Sequence, residues 1–397
     1  MKRVCLIRHG FYPADSRVRK EALALIERGF SVDVICLRKS GEEKRSCVDG
    51  VEVYRIPLDH HRGGKIGYVI EYLRSYLMIA ALLPVLFFRK RYDVIQVNTM
   101  PDFLVFVTLL PKLLGAKVII DMHEAMPEMF RCKFGYEMSH PLIRLLGLIE
   151  RMATSYADRV LVVSESIMPF YQSRGIDLSK VVLVPNSPED RLFDLSRYRP
   201  SENRDSIETK GSVASRGDFV LLSHGTLEKR YGIQVMIRAL PLIRETIPEA
   251  RVLVAGEGEF SDRLKETARE VGVEDHVTFT GLVPFGQIPK VILSADICFV
   301  PLISDEFTNI MAPNKLYEYV SMKRPVIATN TTGMREFFDD SCVVYVPSDD
   351  EEALAQAVVQ LYQNPARAES MVQNAWDAFQ DVKWDAVKRR YSDSFLF

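Results

Sequence analysis

Residues 218–260 read DFVLLSHGTLEKRYGIQVMIRALPLIRETIPEARVLVAGEGEF. Two short apolar runs, FVLLSH and ARVLVA, each end at a Gly, and between them apolar residues return every three or four positions. Runs of that length bounded by turn residues predict buried strands, and the longer periodic stretch predicts the helix that joins them. Two strands joined by such a helix lie parallel, and a parallel sheet must be covered on both faces. The same alternation continues through HVTFTG, ICFVPL, a helix around 316–322, RPVIATN and SCVVYVP. The segment therefore predicts a doubly wound α/β domain.

Working outward, the first half repeats the pattern. Residues 3–7, 32–37, 94–98, 118–121 and 160–164 predict buried strands. Between the first two, RVRKEALALIERG carries its apolar residues on one helical face and closes at Gly29, which completes a βαβ unit. The periodicity stops near Asp194, and residues 196–218 are polar and almost without large apolar side chains. The expected organisation is a first domain over 1–195, a linker over 196–217, a second domain over 218–372 and a helical tail over 373–397. Trp376 and Trp384 predict that the tail packs, back onto the first domain, instead of lying free in solvent. The fold class is α/β, with two Rossmann-like parallel-sheet domains facing a cleft. Open parallel sheets bind ligands beyond the carboxyl ends of their strands.

Composition narrows the function classes. The chain has 397 residues, 47% hydrophobic and 26% charged, as globular domains do, and its formal net charge is −2. The near balance of charge lacks the basic field of a general nucleic-acid binder. Four of the six cysteines, Cys5, Cys36, Cys298 and Cys342, fall in apolar runs, and no pair has zinc-site or redox-dithiol spacing. The start MKRVCLIRHG enters a strand directly, so the expected compartment is the cytoplasm. The apolar run YLMIAALLPVLFF, residues 76–88, is followed by Arg89, Lys90 and Arg91. The run is shorter than the roughly 20 residues a spanning helix needs. It predicts a buried crossover helix, with peripheral contact at an anionic membrane as the other reading.

Two segments have the make-up of an anion site. In SHGTLEKRYG a strand runs into a helix through Gly225 and Thr226, with Lys229 and Arg230 close behind. A Gly there admits close backbone approach, helix amides donate, and Arg230 supplies charge. A strand-to-helix turn with a solvated basic pair fits the same letters. In NIMAPNKLYEY, Pro313 opens a helix, so amides over Met311, Ala312, Asn314 and Lys315 can face a phosphate while Glu318 offers a carboxylate to ribose hydroxyls. Taken alone, Glu318 also fits a solvated helix face. GEGEF, residues 256–260, lacks the third Gly and the acidic residue of a dinucleotide fingerprint. No His, Asp or Glu set has metal spacing, and His60 and His61 fit a polar loop.

SHGTLEKRYG, VLVAGEGE, FTGLVP, ADICFVPL, PNKLYEYVSMKRPVIAT and GMREFF, in this order, resemble the donor-binding domain of retaining glycosyltransferase family 4, of the GT-B fold. PADSRVRKEALALIERGFSVDVI, YDVIQVNT, DMHEAMPE and ADRVLVVSESI resemble the acceptor domain of the same family, so the likeness spans nearly the whole chain. It implies transfer of a sugar from a nucleotide diphosphate donor, UDP favoured, to a glycan or lipid-linked acceptor, for a surface polysaccharide, with no cofactor and no metal. His123, with Glu124, matches a His that contacts the donor sugar. His9 and Gly10 match the acceptor-side loop, and Asp15 and Arg17 fall at its mouth. The chain departs from the family at four places. Thr226 stands where the family has Arg, Tyr231 where it has Lys before Gly232, and Ile310 where it has the first of two Glu residues, of which Glu318 is the second; the usual paired glycines are absent at His9 and Gly10. The alternatives are an epimerase of the same fold and a catalytically silent relative.

Overall fold

The computed structural model describes residues 1–58, 64–198 and 217–397. The expected polar loop at His60 and His61 lies outside the described residues. In the first half the strands are β1 (Arg3–Phe11), β2 (Ser31–Leu37), β3 (Arg45–Val48), β4 (Val51–Ile56), β5 (Val94–Asn98), β6 (Lys117–Met122), β7 (Arg159–Val162) and β8 (Val181–Leu183). In the second half they are β9 (Phe219–His224), β10 (Ala250–Ala255), β11 (Val277–Gly281), β12 (Ile297–Val300), β13 (Val326–Thr329) and β14 (Val344–Val346). The first helices are α1 (Ser16–Glu27), α2 (Gly64–Lys90), α3 (Leu109–Leu113), α4 (Met126–Phe134) and α5 (Pro141–Tyr156).

The eight-stranded sheet runs β3-β4-β2-β1-β5-β6-β7-β8 and the six-stranded sheet β11-β10-β9-β12-β13-β14. Every pair is parallel except the hairpin of β3 with β4. The periodic reading did not separate out this hairpin. Its burial alternates only on β3, which lies at the sheet edge. In each sheet the strand order reverses once in the middle, between β1 and β5 and between β9 and β12, and such switch points open a crevice at the strand ends.

Local sequence explains the elements that frame these points. Asp15 caps α1 by accepting from the amides of Arg17 and Val18. Val18, Ala22 and Leu25 then fall on one buried face, and Gly29, at φ +86°, turns the chain into β2. Along β9 the side chains alternate between two cores. Val220 and Leu222 join the cluster with Leu316 and Tyr319, whereas Leu221 joins the one with Leu240 and Val254. That double burial is why FVLLSH is a continuous apolar run.

The chain forms two compact units, Met1–Pro185 with Val387–Phe397, and Asn186–Ala386. Of the stretch expected to be a linker, 196–217, residues 196–198 and 217 belong to the second unit, and 199–216 lie outside the described residues. The physical reason lies just before it. Phe193 is buried in the core of the second unit, and Leu192, Leu195 and Tyr198 pack on that core. The last residues belong to the first unit, where Tyr391 and Phe395 are fully buried and the Tyr391 hydroxyl donates to Gln96 Oε1 at 2.9 Å.

Helix α2 differs from the expectation of a short buried helix. It has 27 residues, and its segment Ile70–Lys90 is long and apolar enough to cross a membrane by length and composition. Only 33% of the most apolar part of that segment is buried. Helical periodicity located an apolar stripe but did not say which side of the helix meets the sheet.

Candidate functional site

In the second unit, β9 ends at His224 and the chain turns through Gly225, at φ +116°. A side-chain carbon on Gly225 would come within 4.0 Å of Lys315 Nζ, so the bare loop and the lysine share one small space. Lys315 and Glu318 lie on the helix Asn314–Ser321, which begins behind Pro313 without a side-chain cap. Its first amides are thus open to an anion. Asn186 Nδ2 donates to the Ala312 carbonyl at 2.9 Å and ties down the approach to this helix. The neighbouring loop holds the other side: Leu227 N donates to Glu257 O at 3.0 Å, and a side chain on Gly258 would lie 2.2 Å from Leu227 O. The glycines of GEGEF serve this close packing of two backbones, which accounts for a motif that fits no dinucleotide fingerprint.

Lys315 is 7% exposed, and among the described residues its ammonium has no hydrogen-bond partner. Its nearest company is the Tyr231 ring, 4.8 Å from Nζ to the centroid. Burial pushes the Lys315 ammonium down to about 8, with Glu318 pulling the other way. A buried cation without an acceptor is costly unless an anion completes the site. Arg230 is placed differently. Its guanidinium pairs with Glu228 at 2.8 Å and lies 5.5 Å from the centroids of both Tyr231 and Phe307. Thr226 is exposed, Met311 half-buried, and Asn314 exposed at the helix start.

Glu318 Oε2 accepts from His224 Nε2 at 2.7 Å, while His224 Nδ1 lies 2.9 Å from the Tyr319 hydroxyl. That hydroxyl also accepts the His224 backbone N–H at 3.0 Å. Burial pushes the Tyr319 phenol well up, so it stays protonated. The bond to His224 occupies one oxygen of Glu318 and leaves the second as an acceptor. Ile310, at the position of the first family Glu, is 8% exposed and apolar, so no carboxylate stands there.

In the first unit, His123 follows β6, and its Nε2 donates to Asp121 Oδ2 at 2.9 Å. Asp121 is fully buried and takes Arg17 Nε and Nη2 on its two oxygens, both at 2.9 Å. Burial works to raise the Asp121 carboxyl, but Arg17 and then His123 outweigh it and hold it below the usual carboxylate range. Burial lowers the His123 imidazole against the pull of Asp121. An ionised Asp121 only accepts, so the neutral His123 carries its proton on Nε2 and presents Nδ1 as an acceptor. Glu124 follows, half-buried.

Arg17 is thus 7% exposed inside α1, with Glu21 3.1 Å away, and does not stand at a solvated loop mouth. The reason is charge: a buried Asp121 requires a fixed cation beside it. Asp15 caps α1 and receives Arg8 Nε at 2.9 Å. Burial raises the Asp15 carboxyl, and Arg8 and His123 more than offset it to leave it low. His9, 7% exposed at the end of β1 before Gly10, has Ser75 Oγ at 2.9 Å from Nδ1 and Glu71 Oε1 at 3.0 Å from Nε2. Both partners come from α2.

The structure therefore brings Asp15, Arg17 and His123 together around Arg8 and Asp121 in the first unit and Gly225, Lys315 and Glu318 together in the second, whereas His9 and Arg230 engage other partners and Thr226 and Asn314 are exposed. Among the described residues no three His, Cys, Asp or Glu side chains are grouped to hold a metal ion. The family described as Glycosyl transferases group 1 matches residues 218–364, and the Glycosyl transferase 4-like domain matches residues 14–187. The chain belongs to this family of glycosyltransferases. An uncharacterized glycosyltransferase of Methanocaldococcus jannaschii is 24% identical over 384 residues, covering 93% of this chain and 90% of the relative. The phosphatidyl-myo-inositol mannosyltransferase of Mycobacterium leprae is 29% identical over 189 residues, 47% of this chain, and the match spans about half of that relative, 49%. HepE of Anabaena, solved in complex with UDP-glucose, matches with a TM-score of 0.71 at 14% identity, over 99% of both chains. That likeness shows the GT-B fold.

Several residues of this glycosyltransferase escaped sequence reasoning. His224 was inside a quoted motif but had no assigned role, because its partners Glu318 and Tyr319 lie 94 and 95 positions away. Asp121 read as the last letter of a strand, although a carboxylate ending an apolar run two residues before a His was a usable signal. Asn186, after Val184 and Pro185, carried none beyond its polarity.

Proposed function

We propose that this glycosyltransferase moves a hexose from a nucleoside diphosphate carrier, UDP favoured, to a glycan or lipid-linked acceptor, with retention at the anomeric carbon and without a metal. One observation carries the reading: the buried Lys315 ammonium, lacking an acceptor, faces the bare Gly225 turn three residues before Glu318. A diphosphate supplies the missing acceptor, and Glu318 then receives the ribose hydroxyls. UDP is favoured because the family resemblance runs that way and because HepE was solved with UDP-glucose.

As the anomeric carbon leaves the β-phosphate oxygen, negative charge grows on the diphosphate. Lys315 and the amides at the start of its helix stabilise that charge, the part a divalent cation plays elsewhere. The acceptor hydroxyl forms the new bond to the anomeric carbon from the same face and passes its proton to the departing phosphate. His123 Nδ1 accepts from a hydroxyl of the transferred sugar. With Ile310 in place of a carboxylate, sugar choice rests on other contacts.

Incubation with labelled UDP- and GDP-sugars, a lipid-linked acceptor and a chelator tests this. A new glycosidic product that survives chelation, with the anomeric configuration of the donor, is the expected result. Isomerised donor without product supports an epimerase instead, and binding without either reaction supports a silent relative.

A further inference from the structure

Helix α2 is apolar on its outer as well as its inner face, unlike a surface helix in water. Toward the sheet it places Glu71 and Ser75, which engage His9, together with the buried Ile79 and Leu83. Outward it places Ile70, Leu73, Leu77, Val85 and Phe88, each between 46% and 58% exposed. These positions recur with the helical repeat and make one apolar stripe, where an ordinary amphipathic helix carries charge.

Neighbouring helices extend the stripe. Both α2 and α5 pack on the turn Asp102–Thr108, and α3 continues directly from it. Tyr76 of α2 meets Phe103 of that turn at 5.9 Å, and Tyr156 of α5 meets Phe106 at 5.4 Å. On α3, Leu109 and Leu113 are 55% and 75% exposed, and on α5, Leu145, Leu148 and Met152 are each at least 50% exposed. Contiguous exposed apolar surface of this kind marks an interaction face.

The charges on these elements have one sign at the surface. Arg74, Arg89, Arg91, Arg144 and Arg151 are exposed, whereas Glu71, Asp102 and Glu150 are buried. Two exposed acids lie on the adjoining loops: Asp93, which takes the Arg3 amide at 2.7 Å, and Glu137, which precedes α5.

We propose that this face of the first unit docks on an anionic lipid bilayer, with α2 lying in the plane of the interface. Apolar stripes with a cationic surround are what an interfacial helix presents to acidic headgroups. The helix is held against crossing, because Glu71 and Ser75 bond His9 and α2 packs on β1 and β4. A symmetric pair of copies would bring the same arginines face to face, which lipid headgroups do not. This docking is independent of the donor chemistry.

Co-sedimentation with phosphatidylcholine vesicles, with and without about one part in four phosphatidylglycerol, tests the proposal. The chain is expected to sediment with the anionic vesicles and to be released by salt. A triple variant, Leu73→Gln, Leu77→Gln and Leu113→Gln, is expected to lose about tenfold or more in partitioning. Because those side chains face outward, its thermal unfolding and UDP binding stay as in the parent chain. Arg89→Gln with Arg91→Gln is expected to weaken binding to anionic vesicles. Failure of the parent chain to sediment with anionic vesicles, or equal partitioning of the triple variant, overturns the proposal. So does light scattering that shows a dimer dispersed by the triple variant without any vesicle binding.

Discussion

Lys315 concentrates the proposed donor site in one atom, and its two effects have opposite signs. Lys315→Met removes a buried ammonium without an acceptor, so the ligand-free chain should gain roughly 1–3 kcal/mol in denaturant unfolding. The same change should weaken UDP binding about tenfold to a hundredfold, the weight of a charged hydrogen bond. The pH dependence follows from burial holding the ammonium down to about 8. Below that value the folded chain keeps a charge in a dry site that the unfolded chain keeps in water, so Lys315 subtracts from stability. As pH rises from about 8 toward the ordinary lysine range, the folded chain gives up its proton first and the penalty fades. UDP affinity should move the other way and fall over the same window, with proton uptake on binding that calorimetry in two buffers detects. For His123→Ala we expect transfer to slow by about a hundredfold while affinity for free UDP is unchanged, since the Lys315 and Glu318 centre lies in the other unit. Glu318 and Lys315 could be singled out in the letters because both fall in one helix start. Arg17 was misplaced because its partner Asp121 is 104 positions away, and only the fold reveals that pairing.

At the scale of elements, the proposed donor loop rests on backbone packing that tolerates no side chain. With only 2.2 Å between a side-chain carbon on Gly258 and Leu227 O, Gly258→Ala must push the two loops apart. We expect a loss of about 1–3 kcal/mol in stability and a larger loss in UDP affinity than in stability, read by parallel unfolding and titration. Most of the sheet was readable, because strands buried on both faces write themselves as continuous apolar runs. Helix α2 was harder. Its periodicity is real, yet a helix with a polar inner face at His9 and an apolar outer face has the same repeat as one turned the other way. Orientation depends on contacts from β1, some 62 and 66 positions distant, that no local pattern encodes.

At the scale of the molecule, the end of the chain stabilises its beginning. Tyr391 and Phe395 are fully buried in the first unit, and Tyr391 donates to Gln96, which in turn donates to Glu21 at 2.8 Å. Ending the chain after Ala386 should therefore loosen β1 and β5 in hydrogen exchange while leaving β9 and β10 protected. Of the tail expected over 373–397 to pack on the first domain, only Val387–Phe397 joins the first unit, while Trp376 packs on the core of the second. The unit boundary at Pro185 was not recognisable, because polarity marks where a chain is exposed and not where two cores part. The central claim is that a nucleoside diphosphate completes the Lys315 and Glu318 centre, and calorimetric titration of UDP and GDP into the parent chain, Lys315→Met and Glu318→Ala tests it most directly. The account predicts that the parent chain binds UDP and that both variants bind at least about tenfold more weakly. Equal affinity in all three proteins, or no binding of either nucleotide by the parent chain, would contradict it.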